Sequence, residues 1–149
     1  MIDLLLALAH HFLVFSIAGI LAAEAALLQP GLSPQRLRFL GNLDTAYGIF
    51  AVLILIVGFC RVYFGIHGPE FFLANPWFWA KLACFVAVGL LSAPPTIRFI
   101  AWRRKAKAAG APAITADDIR PVRKFLIAEI VVFAFIPLLA AAMVRVPLL

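Results

Sequence analysis

His10 and His11, Arg61 and Lys81 lie within or at the shoulders of runs that are otherwise apolar. Tyr63, Trp77 and Trp79 stand beside the last two, and His67 and Glu70 occupy the turn between them. Imidazole can ligate haem iron or another metal, or move a proton near neutral pH. Guanidinium and ammonium groups pair with carboxylates. Glu24, Asp44, Arg98 and Glu129 form a second set of ionisable groups in or beside apolar runs, read first as structural ion pairs. Lipid cannot solvate such groups, so each needs a partner or a function.

The elements that carry them follow from composition. The chain of 149 residues is 65% hydrophobic and 13% charged, with a mean hydropathy of +1.06. Soluble domains are about half apolar and a quarter charged, so this is an integral membrane protein. A net charge of +6 with no soluble basic domain is an orientation signal and excludes nucleic acid as a partner. The start, MIDLLLALAHH, lacks the basic region and cleavage site of a signal peptide, so the first helix is expected to be retained.

Four apolar segments predict an all-α, four-helix transmembrane bundle in one domain, 1–149, with spans at about 2–28, 44–64, 76–102 and 122–145. Pro30-Gly31 ends the first, and Ser33-Pro34 reads as a cap opening a short amphipathic piece at the membrane surface. Asn75-Pro76 opens the third span and Thr115, ahead of Asp117 and Asp118, opens the last helix. Pro94-Pro95 and Pro137 predict kinks. The small residues Ala18, Ala22 and Ala26, with Gly19 and Ala23, form a face that would let another helix approach closely, so a homo-oligomer is compatible with the sequence.

The membrane side of the first and third connectors receives 10 of the 13 basic residues, counting those at the adjoining helix ends, so the positive-inside rule places both termini and the 65–75 loop on the outer side of a cell inner membrane. His10, His11, Arg61 and Lys81 then share one height near the outer face, where facing helices of a bundle can build a cofactor pocket. Lys81 and Arg61 are long enough to snorkel to the headgroups, whereas the imidazoles are not. Adjacent residues are about 100° apart on a helix, so the two histidines do not face one pocket equally. The three histidines and two methionines lack HxxxH, HxH or MxxM spacing, which disfavours a dedicated transition-metal site. Haem requires only an axial ligand or two, an apolar cavity and cations for its propionates. Cys60 and Cys84 show no CxxC spacing and read as structural cysteines. Phe71, Phe72, Trp77, Phe78 and Trp79 read first as an interfacial aromatic belt and second as the lining of a planar ligand. Glu129 is expected to pair with Arg98 or Arg123.

The segments GFCRVYFG, NPWFWAKLACF and IRFIAWRR resemble a domain-of-unknown-function family of small four-span bacterial inner-membrane proteins, whose helix 3 starts Asn-Pro-x-Phe-Trp-Ala-Lys. The layout is more distantly similar to HemJ-type protoporphyrinogen oxidases and to the membrane domain of D-type copper-resistance proteins. That likeness implies a b-type haem, with His10 in the place of the helix-1 histidine and Trp77, Ala80 and Lys81 in that of the helix-3 motif. AAEAALLQP stands where the oxidases have a Pro-Arg-Leu segment.

The resulting expectation is an inner-membrane protein that binds haem b or a related porphyrin near its outer face, for electron transfer or porphyrin oxidation. His10 would be the iron ligand, and His11, Arg61, Lys81 and Trp77 would complete the cofactor site, with a porphyrin or redox protein as partner. The alternative is a non-enzymatic membrane subunit or a small-solute or metal transport component whose buried charges are structural.

Overall fold

The structure, a computed structural model, describes residues 1–66, 68–109 and 114–145. His67 of the turn lies outside the described residues. Five helices follow one another: α1 (Ile2–Leu27), α2 (Pro34–Phe64), α3 (Gly68–Leu73), α4 (Pro76–Ala109) and α5 (Ala116–Arg145). Among the described residues there is no strand. All but α3 are long and apolar enough to cross a membrane. A backbone in lipid has to satisfy its own hydrogen bonds, which the helix does within each segment.

α1 packs against α2 and α4 against α5, while contacts of α2 with α4 and of α1 with α5 close the ring. Two sets of contacts define its ends. At the terminal end, the Asn75 amide donates to the Met143 carbonyl at 3.1 Å, and Asp3 lies beside Gly65. At the connector end, the Gly31 N–H donates to the Ile114 carbonyl at 3.1 Å. Gly31 adopts φ +74°, which a residue with a Cβ rarely does, so glycine is what lets the chain turn after α1.

The caps are those the sequence predicts. Ser33 accepts from the Arg36 N–H, with Pro34 in the first turn of α2. The Asn75 side chain accepts from the Trp77 N–H at 3.0 Å. Thr115 and Asp118 satisfy each other's backbone N–H groups at the start of α5.

α2 departs from expectation. No separate surface piece precedes the second span, since a single helix of 31 residues runs from Pro34 to Phe64. Its amphipathic start serves the bundle: Leu37 and Leu40 are fully buried in the core, and Arg36 and Arg38 are exposed. At 1.5 Å per residue α2 is about 46 Å long, against about 30 Å of hydrocarbon, so its basic first turns extend beyond the bilayer core. α4, with 34 residues, does the same with Arg103, Arg104, Lys105 and Lys107 at its end. Pro94-Pro95 and Pro137 lie inside helices that continue through them.

The main core runs along the bundle through Ile17, Leu21, Leu28, Leu40, Phe99 and Leu126. A smaller cluster of Val62, Phe72, Phe78 and Met143 closes the terminal end under α3. Phe15, Val52, Leu90, Val131 and Leu138 remain exposed, as helices facing lipid require. The small-residue face of α1 is also largely open, with Gly19, Ala22 and Ala26 exposed.

Asn75 joins two helices through one buried amide, so Asn75→Ala is expected to lose a cap and a buried hydrogen bond, about 2 kcal/mol together. Ser33→Ala, which removes one cap bond at an exposed helix start, should lose about 1 kcal/mol. Unfolding of the purified variants in mild detergent measures both.

Candidate functional site

At the terminal end, His10 of α1, Arg61 of α2 and Lys81 of α4 line one cavity of about 160 Å³. Phe71, Phe72 and Phe78 form its aromatic wall. His10 is half-buried, and the Nδ1–Cε1 edge of its ring packs over Gly58, where a Cβ would stand 3.8 Å from Cε1. Nδ1 of His10 and Nε of Arg61 are buried without a hydrogen-bond partner among the described residues. The Lys81 ammonium lies 5.6 Å from the centre of the Phe78 ring, a cation–π contact that partly replaces its lost hydration.

Among the described residues, the one salt bridge is the exposed pair Arg120–Asp117. Among the described residues neither Arg61 nor Lys81 has a carboxylate within ion-pair distance. The pocket therefore presents two cations and an imidazole to an apolar space with no carboxylate paired to them among the described residues.

His11 does not join it. Its ring is exposed and Nδ1 bonds the Ala7 carbonyl, one turn back, at 2.7 Å. The helical offset between neighbours turns one histidine inward and the other out. Trp77 packs beside the small terminal cluster and does not line the cavity. The aromatic belt divides likewise: Phe72 and Phe78 are buried, whereas Trp79 is exposed and donates its indole N–H to the Leu73 carbonyl at 2.9 Å. Cys60 and Cys84 are free thiols, each half-buried.

The expected ion pair of Glu129 is not formed. Arg98 is exposed, and the Arg123 guanidinium donates to the Leu28 carbonyl at 2.6 Å. Leu28 caps the C-terminus of α1, where unpaired carbonyls and the helix dipole attract a cation, and Arg123 is spent there. Glu24 and Glu129, 3% and 1% exposed, instead keep company with Asp44 and Tyr47. A second cavity, of about 370 Å³, lies between α2 and α4 and is lined by Asp44, Tyr47, Ser92, Thr96 and Arg103. Sequence reading missed it, because Gly48 and Gly89, which line it, carry no signal on either helix alone.

A haem has to be tested against these residues. The donors fit: Arg61 and Lys81 suit propionates and His10 offers an unpartnered nitrogen. The space is smaller than the roughly 300–1,000 Å³ of enclosed ligand sites, and the Nδ1 edge of His10 faces α2. The enclosed part of the pocket does not hold a porphyrin ring. No three His, Cys, Asp or Glu side chains among the described residues are grouped to hold a metal ion.

These features define a multi-pass membrane protein, a helical bundle whose interior is basic at one end and acidic at the other. The chain belongs to the family described as predicted membrane protein (DUF2214), whose model matches residues 2–146. No curated protein and no solved structure matches it.

Since no carboxylate partner is lost, Arg61→Met and Lys81→Met are expected to leave the stability of the ligand-free protein unchanged or raised by about 1 kcal/mol. Denaturation of each variant in nonionic detergent measures this; a loss of that size would reveal a partner the cations depend on.

Proposed function

We propose that this protein binds the anionic head of an acidic amphiphile, a carboxylate or phosphate on an apolar body, at the terminal end of the bundle. By the charge bias of its connectors, that end faces the outer side of a bacterial inner membrane. The observation that carries the reading is the convergence of Arg61, Lys81 and His10 from three helices on an apolar cavity in which, among the described residues, no carboxylate pairs with them. A cavity of about 160 Å³ takes a headgroup. The apolar body lies toward the bilayer along Phe59, a cavity residue that is also exposed. Arg61 and Lys81 bind the anion, and His10 donates or accepts one further hydrogen bond. The role is binding or transfer of the amphiphile, without covalent chemistry.

Titration of the purified protein in nonionic detergent with palmitate, and with the uncharged hexadecanol, tests this. Palmitate is expected to bind and to stabilise the fold, and Arg61→Met or Lys81→Met to weaken it by about tenfold or more, since a charge-assisted hydrogen bond is worth about 1.5–3 kcal/mol. Equal binding of acid and alcohol, or indifference to both substitutions, would overturn the reading.

A second reading, haem b or a related porphyrin with His10 holding the iron, is favoured by the meeting of an imidazole with two cations at one pocket. Haem would supply one-electron chemistry, with Arg61 and Lys81 holding its carboxylates. The protein purified from haem-supplemented cells would then show a Soret band that His10→Ala removes and His11→Ala retains. Absence of the band in the unaltered protein sinks this version alone.

A further inference from the structure

The site at the terminal end leaves the acidic groups of the other half unused. Glu24 comes from α1, Asp44 from α2 and Glu129 from α5, and the three lie close enough to interact through their charges. Glu24 and Glu129 are more than nine-tenths buried, and each has one carboxylate oxygen with no hydrogen-bond partner among the described residues. Asp44 accepts a hydrogen bond of 2.6 Å from Thr96 of α4. The Tyr47 hydroxyl faces Glu129 on one side and Ser92 of α4 on the other.

The charged groups facing this cluster can be named helix by helix. α4 brings Arg103, whose side chain lies across Gly41 and acts on Asp44. A methyl group at Gly41 would overlap that side chain, so the glycine is what seats the guanidinium there. α5 brings Arg123, already bonded to the Leu28 carbonyl. α1 and α2 bring no cation to it: the nearest basic residues on those helices are His10, His11 and Arg61 toward the other end and the exposed Arg36 and Arg38. Three carboxyls thus face two guanidinium groups, one of them already bonded at Leu28, so positive charge falls short of the acids. Carboxylates in a lipid-embedded interior do not stay ionised without compensation. No metal-holding group of side chains is present among the described residues, which leaves the proton.

The cavity between α2 and α4 gives protons a route. Its 370 Å³ has room for about a dozen waters at ~30 Å³ each, and a lining that offers them partners. Arg103 marks its connector end, and Asp44 and Tyr47 form part of its wall. We propose that Glu24, Asp44 and Glu129 form a proton-exchange site filled from the connector end of the bundle through the α2–α4 cavity. A proton reaches Asp44 from cavity water directly. It reaches Glu129 through Tyr47, whose oxygen accepts one from water as its own hydrogen passes to the carboxylate. Glu24, behind both, shares the protons of the pair.

Glycines 48 and 89 supply the control, because a Cβ added at either meets nothing within 4 Å. Leucine at these positions fills the cavity from side chains with room to enter it. The test is infrared spectroscopy of the purified full chain in nonionic detergent at neutral pH, followed through exchange into heavy water. The unaltered protein should show the carbonyl band of protonated carboxyl groups, reduced in Glu24→Gln and again in Glu129→Gln. Gly48→Leu and Gly89→Leu should keep the band and slow its exchange several-fold. A spectrum without a protonated carboxyl band, or a band whose exchange is as fast in the filled variants, would overturn the proposal. Should the glutamine variants fail to fold, the two leucine variants still decide it through the exchange rate.

Discussion

A bilayer core solvates neither a free peptide group nor an unpaired charge, and this structure is arranged around both prohibitions. The first is met within each helix. The second is met by sorting. Arg61 and Lys81 stand toward the terminal end with His10, and Glu24, Asp44 and Glu129 stand toward the connectors, where among the described residues Arg103 beside Asp44 is the base that meets an acid. What would be an ordinary internal salt bridge in a soluble protein is here divided into two sites of opposite sign.

α2 is the member that keeps them apart. It carries Arg61 and Gly58 to one site and Asp44, Tyr47 and Gly48 to the other. Seventeen residues separate Asp44 from Arg61, about 26 Å at 1.5 Å per residue, which is most of the hydrocarbon thickness. That distance depends on α2 being one unbroken helix. Because its first turns are buried through Leu37 and Leu40, Arg103 of α4 can reach across Gly41 toward Asp44. Two kinds of glycine serve the acidic end: Gly41 admits the Arg103 side chain, and Gly48 and Gly89 leave space.

The four long helices and their caps could be read from the sequence, because Ser33-Pro34, Asn75-Pro76 and Thr115 with its following acids act within a few residues of themselves. The convergence of His10, Arg61 and Lys81 could be read as well, since counting basic residues gives the alternation of helix direction and so the height of each side chain. Rotation about a helix axis was less accessible. The 100° offset says that His10 and His11 differ, and only packing against Gly58 says which one turns inward. Periodicity near residue 40 has the same form whether leucines meet lipid headgroups or a bundle core, which is why a surface piece was expected where α2 continues. The partner of Glu129 depended on where Arg123 goes, and the end of α1, ninety-five residues back, claims that arginine. The cavity between α2 and α4 arises from two helices facing each other with glycines, and neither sequence alone records it.

The terminal pocket holds positive charge without a partner among the described residues. Val14, half-buried on its wall beside His10, is the place to ask. A carboxylate placed in an apolar membrane interior costs about 3 kcal/mol. If Arg61 and Lys81 are uncompensated, Val14→Glu supplies the missing partner, and unfolding in nonionic detergent should show the variant at least as stable as the unaltered protein. A loss of the full cost would mean that the pocket's charge is already satisfied, and would contradict the account.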